Sequence, residues 1–586
     1  MNPRAFGKSD AIAVDYETSG FALEPYARVF SVSFCWIKDG YIEIYRNTHP
    51  LFRKRIVDFW ASEGEAAAHH LKFELHFTKT HGWKINPKKI LHCTMIQHQY
   101  IDNLSPRNSL DWLAYRYAGH CESSKRWREA DEAVAQAAKI YGSYDKIPEY
   151  LMHPYQIADG ERGALLHAIQ IDHVKPQSEY RNEIDLVETT MRMEKRGFTL
   201  DKWNTDQIIH DLQIKISEND ANAKKILGAD INLLSQKQVS KLLFETLKFP
   251  QRSSTDEDSL NELAKIREHP IFDCIIRARA FRKGLATLKG YQESAQHDGL
   301  IHSTINTNKA TTGRQTSENP NGQNVPREVK ADVKYPIPAR KCFRARPGYF
   351  LIMVDEAGIE MRLAVQGTEN PRLIEMCDND FDFHDWFARL CYGERYINEP
   401  DKKIKKALRN RAKNGRFALL YGCGPLELSI TLGVSYYDAV AIMERDKTEF
   451  PEFYQYMKRC QNTVEQTGRI ETFFGRSLKV PHDRPYAATD YCIQGTAAAI
   501  IKHAQVQVDD YIRNARGIGD ELGGILLPVH DEIVMEFHRS LLPRLNPILK
   551  DIKHIMTTFS PIKVKLNVEF GISMRSWGDR KDYAIE

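Results

Sequence analysis

The chain has 586 residues, of which 42% are hydrophobic and 27% charged, with a formal net charge of +4 at pH 7. This is ordinary globular composition, which excludes a mainly disordered chain, and the length exceeds the roughly 250 residues one core holds, so two or three domains are expected. The mild positive excess permits a polyanionic partner without selecting one. No apolar run of about 18 residues marks a membrane span, and ten scattered cysteines without a C-x-x-C pair or a signal-like start fit reduced thiols in the cytoplasm.

In chain order, Ala11 to Val14 reads as a strand, and Val29 to Tyr45 as alternating strand residues broken by the hairpin signal Asp39-Gly40. Within the first strand, Asp15 and Glu17 stand two residues apart, so both carboxylates project from one face and could share a metal. Helical composition follows around Glu129 to Ile140 and again from Leu165, which makes this part α/β up to about residue 175. From Ile184 the apolar residues Ile184, Val187 and Met191 fall at helical spacing, Gly197 sits where a C-terminal cap belongs, and a second domain is expected to start. Residues 199 to 300 are mostly charged amphipathic stretches, with Arg252 to Asp258 the clearest loop. Strand-like runs return at Tyr349 to Val354 and Ile525 to Val529, with a long helical region between them.

Both of these later runs deliver acid. Asp355 ends the first, and Asp531 follows the second with Glu532 beside it. Phosphoryl transfer asks for carboxylates that hold two divalent metals about 4 Å apart, astride the attacking and leaving oxygens. A lone aspartate after a strand is more often a turn or cap residue, so the company it keeps decides.

That company resembles the family A DNA polymerases, typified by bacterial DNA polymerase I, over about residues 185 to 579. The residues that carry the resemblance are DEAGIEMR (Asp355 to Arg362), VHDE (Val529 to Glu532), TTGRQTSENPNGQNVP (Thr311 to Pro326), QGTAAAIIK (Gln494 to Lys502) and MEKRGFTLD (Met193 to Asp201). Arg409, Lys413, Phe417 and Tyr421-Gly422 add a fourth-residue repeat along one helix face. Ahead of them, Asp15 and Glu17, His70-x-Lys72-Phe73-Glu74 and Tyr155-x-x-x-Asp159 follow the order of the DEDD-type exonuclease domains that accompany these polymerases.

The resemblance implies a multidomain α/β and α+β fold, with a ribonuclease H-like 3′-5′ exonuclease domain (1–178) ahead of a right-hand polymerase. The latter would comprise thumb (179–300), palm (301–372 and 481–586) and fingers (373–480). By resemblance, Asp355 and Asp531 hold two Mg²⁺, with Glu532 and His530 supporting the metal site and primer end. Arg409 and Lys413 hold the triphosphate of a dNTP, Phe417 stacks on its base, and Tyr421 closes the pocket with Glu360, which blocks a ribose 2′-hydroxyl. Arg314 and Gln494 face the minor groove of the primer-template DNA, where acceptors sit alike in all correct pairs. Asp15, Glu17, Glu74 and Asp159 take one or two Mg²⁺ or Mn²⁺, with Tyr155 beside the attacking water.

Several positions depart from the family pattern. Glu74 stands where Asp is usual, a longer arm that puts proofreading in doubt. Glu356, Ala357, Gly358, Arg416 and Asp490 differ near the nascent pair. A carboxylate at Asp490 accepts hydrogen bonds only, and purines with a 2-amino group offer a donor, so altered handling of guanine or 2-aminoadenine is one expectation, as would suit a virus with modified DNA. The first exonuclease motif already lies at residue 15, so no 5′ nuclease domain of the polymerase I type is expected. Together with the lack of a long thumb insertion, this resembles a phage replicative polymerase whose processivity factor is unidentified. Two alternatives stand beside it: a single-subunit RNA polymerase, which Glu360 and Glu532 oppose, and a catalytically inactive DNA-binding or nuclease protein, which the two aspartates oppose.

Overall fold

Strand β1 (Ala11–Thr18) divides its residues between two faces, as a period of two requires. Ile12, Val14 and Tyr16 enter a core with Phe34, Phe59, Trp60 and Leu75, while Ala13 faces Ala164 of the helix Glu149–Val174. In this computed structural model, which describes residues 3–20, 24, 26–307, 309–326, 335–515 and 518–585, the N-terminal sheet has five strands. β1 is antiparallel to β2 (Val29–Trp36), which pairs with β3 (Ile42–Arg46), and parallel to β4 (Glu65–Ala68), which pairs with β5 (Ile90–Cys93). The order is β3-β2-β1-β4-β5, and the Asp39-Gly40 turn lies between β2 and β3.

Small residues let the 149–174 helix press against this sheet. A Cβ placed on Gly160 would already touch Cys35 at 3.5 Å, and one on Gly163 would touch Ala13 at 3.5 Å. That close approach carries Asp159 onto the face from which Asp15 and Glu17 project.

The next helix, Ser178–Arg196, begins the second domain by sequence, yet Tyr180, Ile184, Val187 and Met191 fill the N-terminal core. Only Met193, near its end, enters the larger core beyond. Gly197 ends it at φ 64°, where a Cβ would stand 2.9 Å from the His302 ring, so glycine is required both for conformation and for space.

The larger sheet is antiparallel throughout. Its strands run in the order Gly523–Val529, Glu532–His538, Tyr349–Glu356, Val568–Ser573, Lys581–Tyr583. Phe350, Ile352 and Val354 enter the core on one face, and Leu351 and Met353 the core on the other, which is why the Tyr349 to Val354 run is apolar without alternation. The helices Phe383–Tyr392, Lys402–Leu420, Pro425–Leu432 and Tyr436–Glu449 share a separate core of Phe387, Leu408, Leu419, Leu428 and Ala439. The following helix, Pro451–Thr467, and the hairpin after it pack into the core of the larger sheet instead. The long helices Lys202–Leu227 and Ile271–Ser294 lie against each other.

Polar ties join the N-terminal layer to the rest. Lys502 Nζ reaches both oxygens of Glu183 at 2.8 Å, Lys72 Nζ meets Glu194 at 2.7 Å, and the Asn103 amide donates to the carbonyls of Thr311 at 2.8 Å and Lys479 at 3.0 Å. Among the described residues, no single helix is long and apolar enough to cross a membrane.

Candidate active sites

The two acidic strand ends of the larger sheet meet. Asp355 lies opposite Glu532 in register, the two-residue link His530-Asp531 connects the neighbouring strands with His530 at φ 57°, and the Glu356 N–H donates to the Asp531 carbonyl at 3.1 Å. Asp355 and Asp531 line one cleft of about 710 Å³ together with Glu356, Glu360, Lys413, Phe417 and His530. Burial raises the Asp531 carboxyl, with Arg314 pulling the other way. Glu356 is 6% exposed, its Oε1 has no hydrogen-bond partner, and burial, then Asp531 and Asp355, push it well above the carboxylate range. Three converging carboxylates, one with an orphaned oxygen in a poorly solvated place, are the donor set that hard divalent cations fit.

Glu532 lies in register beside Asp355, behind the residues that line the cleft. It is 0% exposed, and its carboxylate is taken up by Arg340 at 3.5 Å and Arg580 at 3.6 Å. It braces the strand from inside and is not among the residues lining the cleft.

Gly358, at φ 65°, turns the chain out of the Tyr349–Glu356 strand into the helix Ile359–Thr368, whose first turn carries Glu360. Glu360 accepts from Arg314 at 2.7 Å and from the Tyr421 hydroxyl at 3.0 Å. Asp490 accepts from Gln494 at 2.5 Å, and burial, then Glu360, raises it to about 6 against Arg314. Arg314, Glu360 and Tyr421 are thus one hydrogen-bonded group whose Glu360 lines the cleft, and the Asp490–Gln494 pair is coupled to it electrostatically. Phe417 stacks on Tyr421 with centroids 6.1 Å apart, and Tyr421 is the first residue beyond the Lys402–Leu420 helix rather than part of it. Lys413 Nζ lies 5.8 Å from the Phe417 ring centroid, while Arg409 is paired with Asp382 at 2.6 Å.

Two residues here carried no sequence signal. His384 stands edge-on to Phe417 at 5.2 Å and is held neutral, down to about 3, by burial and then by Lys413 and Arg409. Asp446, 0% exposed, forms a buried ion pair with Arg416, which is itself stacked at 4.7 Å on Phe453. Arg416 therefore anchors the helix that presents Lys413 and Phe417 from behind.

In the N-terminal layer, carboxylate oxygens of Asp15, Glu17 and Asp159 lie within 4.8 Å of one another. Burial raises Asp15 to about 7 and Asp159 to about 6, and it raises Glu17 and Glu74 well above their range, with Asp15 adding to both. Glu17 Oε1 and Glu74 Oε2 are buried without hydrogen-bond partners, so this cluster also fits cations. The Tyr155 hydroxyl contacts Asp159. Arg162 also reaches Asp159, at 2.6 Å, while gripping Asp131 at 2.6 Å, a resident cation that the motif spacing did not reveal.

Residues 203–579 match DNA polymerase family A, and the chain belongs to that family. It is similar to DNA polymerase I of Pseudomonas aeruginosa, 27% identical over 527 residues that cover 86% of this chain and 55% of that protein. It is also similar to DNA polymerase I of Borreliella burgdorferi, 26% identical over 98% of this chain and 63% of that one. The chain spans about half the length of the curated relatives it matches. Among solved structures, it shares the fold of the POL domain of Pol1 from M. smegmatis, a complex with DNA primer-template and dNTP. The TM-score is 0.77, with 24% sequence identity, over 98% of this chain and 96% of that one.

Proposed function

We propose that the chain is a template-directed DNA polymerase with a ribonuclease H-like proofreading 3′-5′ exonuclease in its N-terminal layer. The observation that carries the polymerase reading is the delivery of Asp355 and Asp531 by neighbouring strands to one cleft that also holds Lys413, Phe417 and Glu360. In this reading Asp355 and Asp531 hold two Mg²⁺ ions, which supply positive charge to the attacking and leaving oxygens of phosphoryl transfer. The primer 3′-hydroxyl attacks the α-phosphate and pyrophosphate leaves. Lys413, with Arg409 once released from Asp382, neutralises the triphosphate. Phe417 offers its face to the base, and the Glu360–Tyr421 pair walls the sugar. Arg314 and Gln494 meet the minor-groove edge, where geometry is tested without reading sequence. Glu532 supports the aspartates through the strand it braces.

For the exonuclease, Asp15, Glu17, Glu74 and Asp159 hold one or two Mg²⁺ or Mn²⁺, and Tyr155 orients the attacking water. What supports this is the convergence of Asp15, Glu17 and Asp159 with orphaned buried oxygens beside them. The grip of Arg162 on Asp159 favours a second reading, in which the layer binds single strands without cutting them.

One experiment separates these. A labelled primer-template is incubated with Mg²⁺, with and without dNTPs, using wild type, Asp355→Ala and Asp15→Ala proteins. Extension that needs Asp355, and 3′-end degradation that needs Asp15, supports both activities. Extension without degradation leaves the strand-binding reading, and neither activity overturns the polymerase reading.

Asp490 gives the proposal a base preference. Beside the minor-groove contacts of Arg314 and Gln494, an acceptor-only carboxylate would favour purines with a 2-amino donor. Single-nucleotide insertion opposite matched templates is compared for adenine, 2-aminoadenine and guanine. Equal behaviour of wild type and Asp490→Asn removes the preference.

A further inference from the structure

Away from both sites, three side chains from three elements point at one place. Glu65 opens β4, His92 lies on the adjacent β5, and His167 lies about two turns beyond Asp159 on the 149–174 helix. His92 Nε2 is 3.4 Å from Glu65 Oε2, His167 Nε2 is 3.9 Å from the same oxygen, and all three ligand atoms lie within 4.8 Å of one another. His92 is 7% exposed, and its buried Nε2 makes no well-aligned hydrogen bond, facing the Glu65 carboxylate at 3.4 Å. That is a costly place for a bare nitrogen lone pair unless something accepts it.

The far sides of both rings are already held. His92 Nδ1 is 3.1 Å from the Tyr180 hydroxyl, and His167 Nδ1 is 3.2 Å from the Gln97 carboxamide, which also reaches Tyr180 at 3.0 Å. As placed, the Gln97 Nε2 faces both atoms and donates to Tyr180; with the carboxamide turned so that its oxygen takes that position, the donors run the other way. His92 Nδ1–H donates to Tyr180, Tyr180 O–H and His167 Nδ1–H both donate to Gln97, and each Nε2 presents a lone pair towards Glu65. Such an outer shell orients metal-binding imidazoles.

We propose that Glu65, His92 and His167 bind a divalent transition metal ion of the zinc class. Four-coordinate Zn²⁺ with bonds of about 2.0–2.1 Å sets its ligand atoms about 3.3–3.4 Å apart. The 3.4 Å separation of His92 from Glu65 has that value, and the 3.9 Å separation of His167 closes to it with a small ring movement. Two imidazoles and one carboxylate select zinc over magnesium, so the ion differs in kind from those suited to the all-carboxylate sites. The side chain of Glu65 is 35% exposed, which leaves a route in from solvent and a fourth position for water. The ion ties the edge of the sheet, β4 and β5, to the helix that carries Tyr155 and Asp159, and it positions those residues without touching substrate.

The test uses the full chain carrying Asp15→Ala, freed of metal and held in excess Mg²⁺. Zn²⁺ uptake is measured by equilibrium dialysis, and Co²⁺ is used as a spectroscopic probe. One equivalent of Zn²⁺ is expected, displacing Co²⁺ that shows the intense visible bands of a four-coordinate nitrogen-ligated ion. Binding should be lost in His92→Ala and His167→Ala, and weakened about 10- to 100-fold in Tyr180→Phe, which alters only the outer shell. Glu65→Gln, at a partly exposed position, guards against variants that fail to fold and should also lose at least tenfold. Absence of Zn²⁺ uptake by the parent chain, or uptake that the histidine and Glu65 substitutions leave unchanged, overturns the proposal.

Discussion

Replacing Tyr421 by Phe deletes one hydroxyl and leaves the ring that stacks on Phe417. What is lost is the 3.0 Å hydrogen bond to Glu360, leaving its carboxylate held by Arg314 alone at 2.7 Å. A hydrogen bond to a charged group contributes about 1.5–3 kcal/mol, and because the Glu360 side chain keeps 20% exposure the lower end applies, about 1.5 kcal/mol. If Glu360 walls the sugar pocket, that energy holds the wall, and about tenfold of the discrimination between dNTP and rNTP should go with it. The assay is single-turnover insertion of each nucleotide, read as the ratio of kcat/KM values. Glu360→Ala removes the wall and should lose at least as much. The double variant should lose no more than Glu360→Ala, because the hydroxyl acts through the carboxylate. Unchanged discrimination in Tyr421→Phe, or fully additive losses, would refute this reasoning.

Three further outcomes are expected. Because the folded pKa of Asp15 is raised from 3.8 to about 7 and that of Asp159 from 3.8 to about 6, their stabilising contribution is complete below pH 4 and is lost as pH rises to 7. Metal-free protein should therefore melt at lower temperature at pH 8 than at pH 5.5, with Mg²⁺ or Mn²⁺ restoring more at pH 8; equal metal effects at the two pH values would count against the cluster. Arg416→Met strands Asp446 in the interior and should cost about 3–5 kcal/mol, most of it recovered in Arg416→Met/Asp446→Leu, as followed by thermal unfolding and proteolysis of the 383–449 helices. Gly160→Val adds methyl groups where a Cβ already meets Cys35 at 3.5 Å, which should push Asp159 away from Asp15 and abolish 3′-end degradation while leaving primer extension intact.

Local pattern carried the parts of this structure that local chemistry decides. An apolar run ending in Asp355 is a strand delivering acid, and a fourth-residue repeat from Arg409 to Phe417 is a helix face; both are written in spacing alone. Tyr421 was placed one residue too far into that helix because a repeat does not say where the last turn ends. Glu532 stands next to Asp531 in sequence and opposite Asp355 across the sheet, but adjacency does not reveal that two arginines distant in sequence claim its carboxylate. The partners Arg162–Asp131 and Arg416–Asp446 depend on how helices dock on one another, and the meeting of Glu65 with His92 and His167 on how a helix docks on the sheet. No spacing rule reaches across such intervals. His384, a single histidine in a helix's first turn, becomes informative only once Phe417 lies against it.

The Ser178–Arg196 helix leaves the molecule without a seam. Its apolar stripe completes the N-terminal core, its last turn enters the core of the larger sheet, and Glu183 on its flank holds Lys502, the residue that closes the Gln494 motif. A protease cut before it would leave the C-terminal fragment with a bare greasy stripe, and a cut after it would leave that fragment with a buried ammonium lacking its counter-charge. Exchange of the first layer for that of a relative would have to carry this helix and its acids along.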